Sequence, residues 1–472
     1  MVSKKTTNKI FAELIFREYE RFYQSGFENF YVEPKKLASH LDNFKNSQKL
    51  KVCQIGSSLE GRSINKIVIG NGPANVLLWS QMHGDESTAT RAILDILNFF
   101  EKENEFDEIK QDILEKITIT IIPMLNPDGA KKFTRRNAQQ IDLNRDAVAL
   151  QSPEANLLFE EKSRLAPGLC LNLHDQENKY SVGFTNNAPV ISFLATTFNK
   201  EKDLNESRKT AMKIIAECAD ILSDNVPGHI SRYDDMFEPR GFGDNFALAG
   251  IPLILIESGW WKNDFHKEYV RKLNFVTILS IFRSFAKAIY NHFLIEDYSQ
   301  IPENVDRMND LIIRNVRYYV GDVFSKIDIS IKHKWDFNHN RNKFFRKSII
   351  ADLGDLSTQT AEKEVNLSGY RIFSPKVSDY EYSSDTFPTE EQIIELIKSD
   401  VMFVRLKEKS DDKYSEKPIN ILNPNSTLDS SLKIDNYANL IFKKDNAEPY
   451  YLLNGELIKP GIDYFESNCL IL

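Results

Sequence analysis

Cysteine is scarce in this chain and follows no motif: Cys53, Cys170, Cys218 and Cys469 are spread over 472 positions without a C-x-x-C pair. That spacing excludes a disulfide-stapled scaffold and a thiolate zinc site, and leaves the four to serve as small buried hydrophobes. An excess of basic residues is missing too. Lys and Arg number 60 against 68 Asp and Glu, a net charge of −8, so there is no electrostatic footprint for DNA or RNA and no nucleic-acid partner is expected. No apolar run is long enough to cross a bilayer, and no membrane partner is expected. The opening stretch MVSKKTTNKIFAELIFREYERFY begins basic but turns into a charged amphipathic helix pattern. It has neither the apolar core nor the small-residue cleavage site of a signal peptide, and a cytoplasmic location is the expectation.

What is present is the composition of a globular protein, 42% hydrophobic and 27% charged. At the usual size of about 100 to 200 residues per domain, the chain should hold two or three domains. Between residues 50 and 300, short runs rich in Val, Ile and Leu alternate with helical periodicity. Strands are expected at 51–55, 64–69, 75–80, 117–125, 169–173 and 252–256, and helices at 87–101, 207–223 and 266–293. Such alternation predicts an α/β fold, a three-layer α/β/α sandwich with a mixed, largely parallel sheet. After Ile301 the texture changes to Ser, Asn, Asp and Lys with alternating segments, an Asn454-Gly455 hairpin turn, and a helix over 389–399 behind Pro388. The expected division is an α/β domain over 1–300 and a β-rich accessory domain over 301–472, of unknown role. His333 and His339 lie in the second part without ligand spacing and are expected to face solvent.

The chemistry-bearing residues gather in the first part. Gln81-Met82-His83-Gly84-Asp85-Glu86 falls where an apolar strand gives way to a helix, the junction at which α/β sheets place ligands. A tight turn with Gly84 can aim the His83 imidazole and the Glu86 carboxylate at one point, though H-x-x-E taken alone reads more readily as a capped helix start with a surface Glu. A third donor comes from Leu169-Cys170-Leu171-Asn172-Leu173-His174, an apolar strand that ends in His. His83, Glu86 and His174 together form a His2Glu set, known from catalytic zinc sites with an open position for water. A lone carboxylate, Glu257, closes the apolar run Ile254-Leu255-Ile256. It would be costly to bury without partners, so it should face a polar cleft.

Further blocks follow in order: Asn126-Pro127-Asp128-Gly129, Thr134-Arg135-Arg136-Asn137, and Ile141-Asp142-Leu143-Asn144-Arg145-Asp146. With H-x-x-E before them and a strand-end His and a late Glu after, this order resembles the carboxypeptidase A-like zinc carboxypeptidases over residues 10–295, and Gly56-Ser57-Ser58-Leu59-Glu60-Gly61-Arg62 resembles that family's approach to its sheet. The resemblance implies one zinc ion per chain on His83, Glu86 and His174, with Asp142 orienting a ligand His. It implies Asn144 and Arg145 as the clamp on a substrate's terminal carboxylate, and Arg135, or its neighbour Arg136, polarising the scissile carbonyl. Glu257 would take a proton from zinc-activated water, and Tyr233 is the nearest match to the family's mobile Tyr. The segment Gly241-Phe242-Gly243-Asp244-Asn245 would border the pocket for the last side chain, with Glu238, Arg240 and Asp244 allowing charge selectivity.

The expected function is therefore removal of C-terminal amino acids from peptides with a free carboxylate. Alternatives are a zinc amidase acting on cell-wall peptides, polyglutamate or N-acyl amino acids, and a peptide-binding relative without catalysis.

Overall fold

The computed structural model describes residues 4–339, 342–459 and 469–472. The chain divides into two units, the first ending at Asp306 and the second beginning at Arg307.

The apolar runs of the first unit become the strands of one eight-stranded sheet. In chain order these are β1 (Leu50–Ser57), β2 (Ser63–Ile69), β3 (Ala74–Ser80), β4 (Ile117–Ile122), β5 (Leu169–Asp175), β7 (Ile191–Ala195), β8 (Ile230–Arg232) and β9 (Leu253–Ser258). A separate pair is formed by β6 (Tyr180–Val182) and β10 (Asn304–Asp306). The sheet order is β1-β2-β4-β3-β5-β9-β7-β8. β4, β3, β5 and β9 are mutually parallel, while β1, β2 and the β7–β9 pair supply the antiparallel joints. A mixed sheet with a parallel centre is what near-continuous Val, Ile and Leu runs require, because both faces must be covered.

Alternate residues of those runs serve opposite layers, as the two-residue period of a strand dictates. Val76, Leu78, Ile119, Leu171 and Ile254 pack beneath α3 (Thr88–Glu101), α7 (Glu206–Leu222) and α9 (Glu268–Lys287). Leu77, Trp79, Ile122, Cys170 and Leu253 face α6 (Pro153–Leu165) and α8 (Phe242–Leu248). The remaining helices are α1 (Lys4–Arg17), α2 (Pro34–Asp42), α4 (Asp107–Leu114), α5 (Pro127–Lys132) and α10 (Ile295–Ser299). The three layers are those expected from the alternation of elements. α9 is locked to α3 by a fully buried pair in which Arg271 Nε and Nη2 donate to the two Asp95 oxygens at 2.7 and 2.6 Å. Removing one partner from such a pair costs about 3 to 5 kcal/mol.

Two elements end more than two residues from where they are expected. The strand expected over 117–125 stops at Ile122, because Pro123 has no N–H for the ladder. The helix expected over 266–293 begins only at Glu268 and ends at Lys287, bracketed by Lys267 and Ala288 with left-handed φ values of 53° and 52°.

The second unit is β-rich. Its largest sheet runs β13 (Lys343–Gly354), β12 (Val323–Asn338), β11 (Met308–Val320), β15 (Arg371–Phe373), β20 (Leu440–Lys443), β21 (Tyr450–Leu453), β22 (Glu456–Ile458), with β14 (Thr360–Asn366) also beside β11. A parallel trio, β16 (Lys376–Tyr382), β17 (Val401–Leu406) and β19 (Asn420–Leu422), accompanies α11 (Glu390–Lys398), and β18 (Tyr414–Ser415) pairs with β23 (Cys469–Leu470). Asn454 and Gly455, at φ 44° and 80°, make the expected tight turn between β21 and β22. His339 is exposed as expected. His333 is not fully solvent-facing: its ring is partly covered and its Nδ1 lies 2.9 Å from Ser348 Oγ, because the register of β12 on β13 turns it toward that neighbour.

Candidate metal and active site

The loop from Gln81 to Ser87 leaves the end of β3 and enters α3, and its shape depends on close backbone approach. Gly84 lies so near the α5 backbone that a Cβ there would stand 2.0 Å from the Gly129 carbonyl carbon, which only glycine tolerates. Asn126 fastens the same junction. Its Oδ1 caps α5 by accepting from Gly129 N at 2.9 Å, and its Nδ2 donates to the Met82 carbonyl at 3.2 Å. The H-G-D-E and N-P-D-G motifs therefore interlock physically.

This loop brings His83 and Glu86 against the end of β5, where His174 stands. His83 Nδ1 is 2.7 Å from Glu86 Oε1, His174 Nδ1 is 2.8 Å from Glu86 Oε2, and the ring centroids are 4.8 Å apart. All three residues are largely buried, and one donor atom from each lies within 4.8 Å of the others. Among the described residues this is the group of His, Cys, Asp and Glu arranged to hold a metal ion. His83 Nε2 faces Asp142 Oδ1 at 3.2 Å, and a carboxylate can only accept, so Nε2 carries the proton. The Nδ1 lone pair then points at a carboxylate oxygen, a contact that needs a proton or a cation between the two. Two imidazole nitrogens and a carboxylate suit zinc, and the residues present fit that ion.

The electrostatics have the same origin. Burial alone would raise the Glu86 pKa, but the two imidazoles beside it hold it well below the usual carboxylate range. Burial works against a charge on His83, yet Glu86 and Asp142 outweigh it and raise its pKa, whereas burial prevails at His174 and lowers it. Desolvation and the neighbouring Glu86 carboxylate push the Asp85 carboxyl up to about 6.

Glu257, at the end of β9, pairs in register with His174 on β5, so the two side chains leave neighbouring parallel strands on the same face. Burial first, then the nearby Glu86 and Asp175 carboxylates, push the Glu257 carboxyl well above the ordinary range. Arg135 donates from Nε to Asp142 Oδ2 at 3.0 Å, and its Nη1 lies 3.0 Å from His83 Nδ1 and 3.4 Å from Glu86 Oε1, so its guanidinium reaches into the donor cluster. Arg136 turns away from it and donates to the Gln140 carbonyl at 2.8 Å.

Asp142 also caps the short 3-10 turn Leu143–Arg145 by accepting from Asn144 N. Asn144 Oδ1 accepts from Phe242 N at 3.1 Å, at the start of α8, and Arg145 Nε lies 3.0 Å from Glu238 Oε2. Tyr233 hangs from β7 through a bond from its N–H to the Phe193 carbonyl, and its hydroxyl is 3.4 Å from that of Tyr180. Asp244 accepts from Glu238 N, and burial brings its carboxyl up to about 6. Thr88, Asp175, Tyr180 and Lys267 border this region without having been singled out in the sequence. Asp175 follows His174 directly and was the one with a visible signal.

Residues 37–203 match the family model for zinc carboxypeptidase, a segment that includes His83, Glu86, Asp142 and His174 and stops short of Glu257. The family expected from the motifs is thus the one whose model matches. Carboxypeptidase 2 of Trichophyton equinum is 26% identical over 171 residues, 36% of this chain and 30% of that protein. Carboxypeptidase SOL1 of Arabidopsis thaliana is 31% identical over 102 residues, 20% of this chain and 21% of that protein. The matches therefore span less than a third of these curated relatives. Among solved structures, a metallo-carboxypeptidase from Burkholderia cenocepacia aligns with TM-score 0.42 and 16% identity over 52% of this chain and 68% of its own. Thrombin activatable fibrinolysis inhibitor aligns with TM-score 0.44 and 14% identity over 57% and 77%.

Proposed function

We propose that the first unit is a zinc-dependent carboxypeptidase that releases the C-terminal residue of a peptide, with one zinc per chain held by His83, Glu86 and His174. The observation that carries this reading is the register of Glu257 beside His174, which sets a buried carboxyl next to a donor cluster suited to zinc. When bound, zinc supplies Lewis-acid polarisation of a carbonyl and of water. The chain's own residues supply the rest. Asp142 holds the His83 ring in one tautomer with Nδ1 free to ligate. Glu257 takes a proton from the attacking water and returns it to the leaving amine. Arg145 offers a planar fork that meets a free terminal carboxylate with two parallel bonds, and Arg135 stands within reach of charge developing at the reacting carbonyl.

The test is a panel of peptides, each as free acid and C-terminal amide, followed by mass spectrometry beside elemental analysis of the protein. One zinc per chain, loss of that zinc in His83→Ala and His174→Ala, and stepwise release of single residues from the acids alone are expected. Equal cleavage of the amides, or cleavage inside the chain, would replace this reading with a broader zinc amidase. Peptide binding without release under any zinc condition would favour a binding protein.

A further inference from the structure

We infer that Lys267 is a positioning residue that holds the metal donors and Glu257 in mutual register, an inference that rests on the reading of the site given above. Its ammonium nitrogen donates to the Ser258 carbonyl at 2.9 Å and lies 3.4 Å from Asp175 Oδ2. Thr88 Oγ1 donates to that same Oδ2 at 2.7 Å. The three partners occupy a pattern. Thr88 is two residues after Glu86, in the first turn of α3; Asp175 directly follows His174 at the end of β5; Ser258 directly follows Glu257 at the end of β9. One ammonium and one carboxylate thus buckle together the three segments that carry Glu86, His174 and Glu257. Asp175 adds a fourth tie, its backbone N–H donating to Glu86 Oε2 at 3.2 Å.

The buckle is not explained by packing. The Lys267 and Asp175 side chains are only 9% and 5% exposed, so both charges are largely withdrawn from water, and an apolar residue of similar volume would fill the same space without that cost. The backbone also adopts an unfavourable conformation there, since φ at Lys267 is 53°, a left-handed value uncommon for a residue with a Cβ. A desolvated ion pair on a strained residue, tied to the neighbours of three site residues, is what a donor set needs if its spacing is to survive side-chain motion. Small misplacements of reacting groups slow an enzyme steeply, and outer partners of metal ligands affect metal affinity and rate in the same way.

The experiment uses the full chain in four forms: wild type, Lys267→Met, Lys267→Arg and Thr88→Val. Zinc affinity is read by competition with a chromophoric chelator, and kcat and KM on a peptide that the wild type cleaves. Lys267→Met is expected to lose about 10- to 100-fold in zinc affinity and in kcat with KM unchanged, Lys267→Arg to recover most of both, and Thr88→Val to show a smaller loss in the same direction. Folded Lys267→Met with native zinc affinity and kcat overturns the inference, as does equal impairment in the Met and Arg variants. Should Lys267→Met fail to fold, Thr88→Val decides: native zinc affinity there also overturns it. Should the wild type cleave no peptide, the activity reading fails, and the zinc titrations alone decide the role of Lys267.

Discussion

Arg145 Nε lies 3.0 Å from Glu238 Oε2, so the fork expected to grip a substrate's terminal carboxylate already holds a carboxylate of its own chain. Glu238 is held in turn from its other side by Arg240, at 3.1 Å. A substrate carboxylate must compete with this resident partner. Both side chains of the pair are about a third exposed, 38% and 29%, so the pair is worth only about 0.2 to 1 kcal/mol. Glu238→Gln should therefore lower KM for free-acid peptides by roughly 1.5- to 5-fold at low salt while leaving kcat unchanged. Steady-state kinetics at two ionic strengths would check it, and a raised KM would mean that Glu238 contacts the substrate favourably.

Glu257→Gln separates the proposed base from the fold. Gln fills the same space and has no charge to desolvate, whereas burial and two neighbouring carboxylates work against ionisation of Glu257. The variant should keep its zinc, and its zinc-free form should melt no lower than the wild type. Its kcat should fall by about 10² to 10⁴. Calorimetry and single-turnover assays read the two halves, and wild-type kcat would move the base elsewhere.

The centre of the first unit was legible in the sequence because its strands are covered on both faces and read as unbroken apolar runs. β3, β5 and β9 fall within two residues of where Asn75–Ser80, Leu169–Leu173 and Pro252–Ile256 announce them. The donors were legible because each sits where such a run stops. β7 and β8 were not foreseen: Ile191–Ala195 is a short run embedded in polar loops, and Ile230–Arg232 has only three residues. Contacts between distant segments left no local trace either. Nothing in the spacing of Glu238 and Arg145 foretells their pairing, nor does the helical periodicity around Lys267 foretell a residue tied to two strand ends.

His333 gives the second unit a specific acid sensitivity. Burial, assisted by the Arg346 guanidinium, brings its folded pKa down to about 3, against the ordinary value near 6.5 in the unfolded chain. Between these values the unfolded chain binds a proton that the folded one refuses, so stability falls as pH drops from about 6.5 toward 3 and is unaffected by this group above 6.5. The slope is at most about 1.4 kcal/mol per pH unit, and less because the ring is only partly covered. Amide exchange of β12 and β13, corrected for intrinsic rates, should reveal opening at pH 5 that His333→Gln suppresses. Equal pH dependence in both proteins would remove His333 as the cause.

Where the first unit is cut should matter within six residues. Asn304, in β10, accepts from Ser231 Oγ and Ser192 Oγ and donates to Gln176 Oε1 at 2.9 Å, two residues beyond His174. A chain ending at Asp306 keeps these bonds, whereas one ending at Gln300 loses them together with the Pro302 and Glu303 carbonyls that accept from Arg232 N and Gly183 N, at about 1 to 3 kcal/mol for each group left buried and unpaired. The shorter chain should melt several degrees lower and bind zinc more weakly, measured by calorimetry and chelator competition. Identical behaviour of the two would show β10 to be dispensable.

The sheet order β5-β9-β7 has a consequence for how this protein comes off the ribosome. β7 is synthesised well before β9 but pairs with β9 and not with β5, so it and its outer neighbour β8 have no place on the sheet until Leu253–Ser258 has emerged. The nascent chain can therefore bring His83, Glu86 and His174 together at the ends of β3 and β5 while Glu257 is still untranslated. On this ordering the proposed metal donors can assemble before the carboxylate proposed as the base has been made, and an apolar β5 edge stays uncovered for as long as translation of the stretch from Asp175 to β9 lasts.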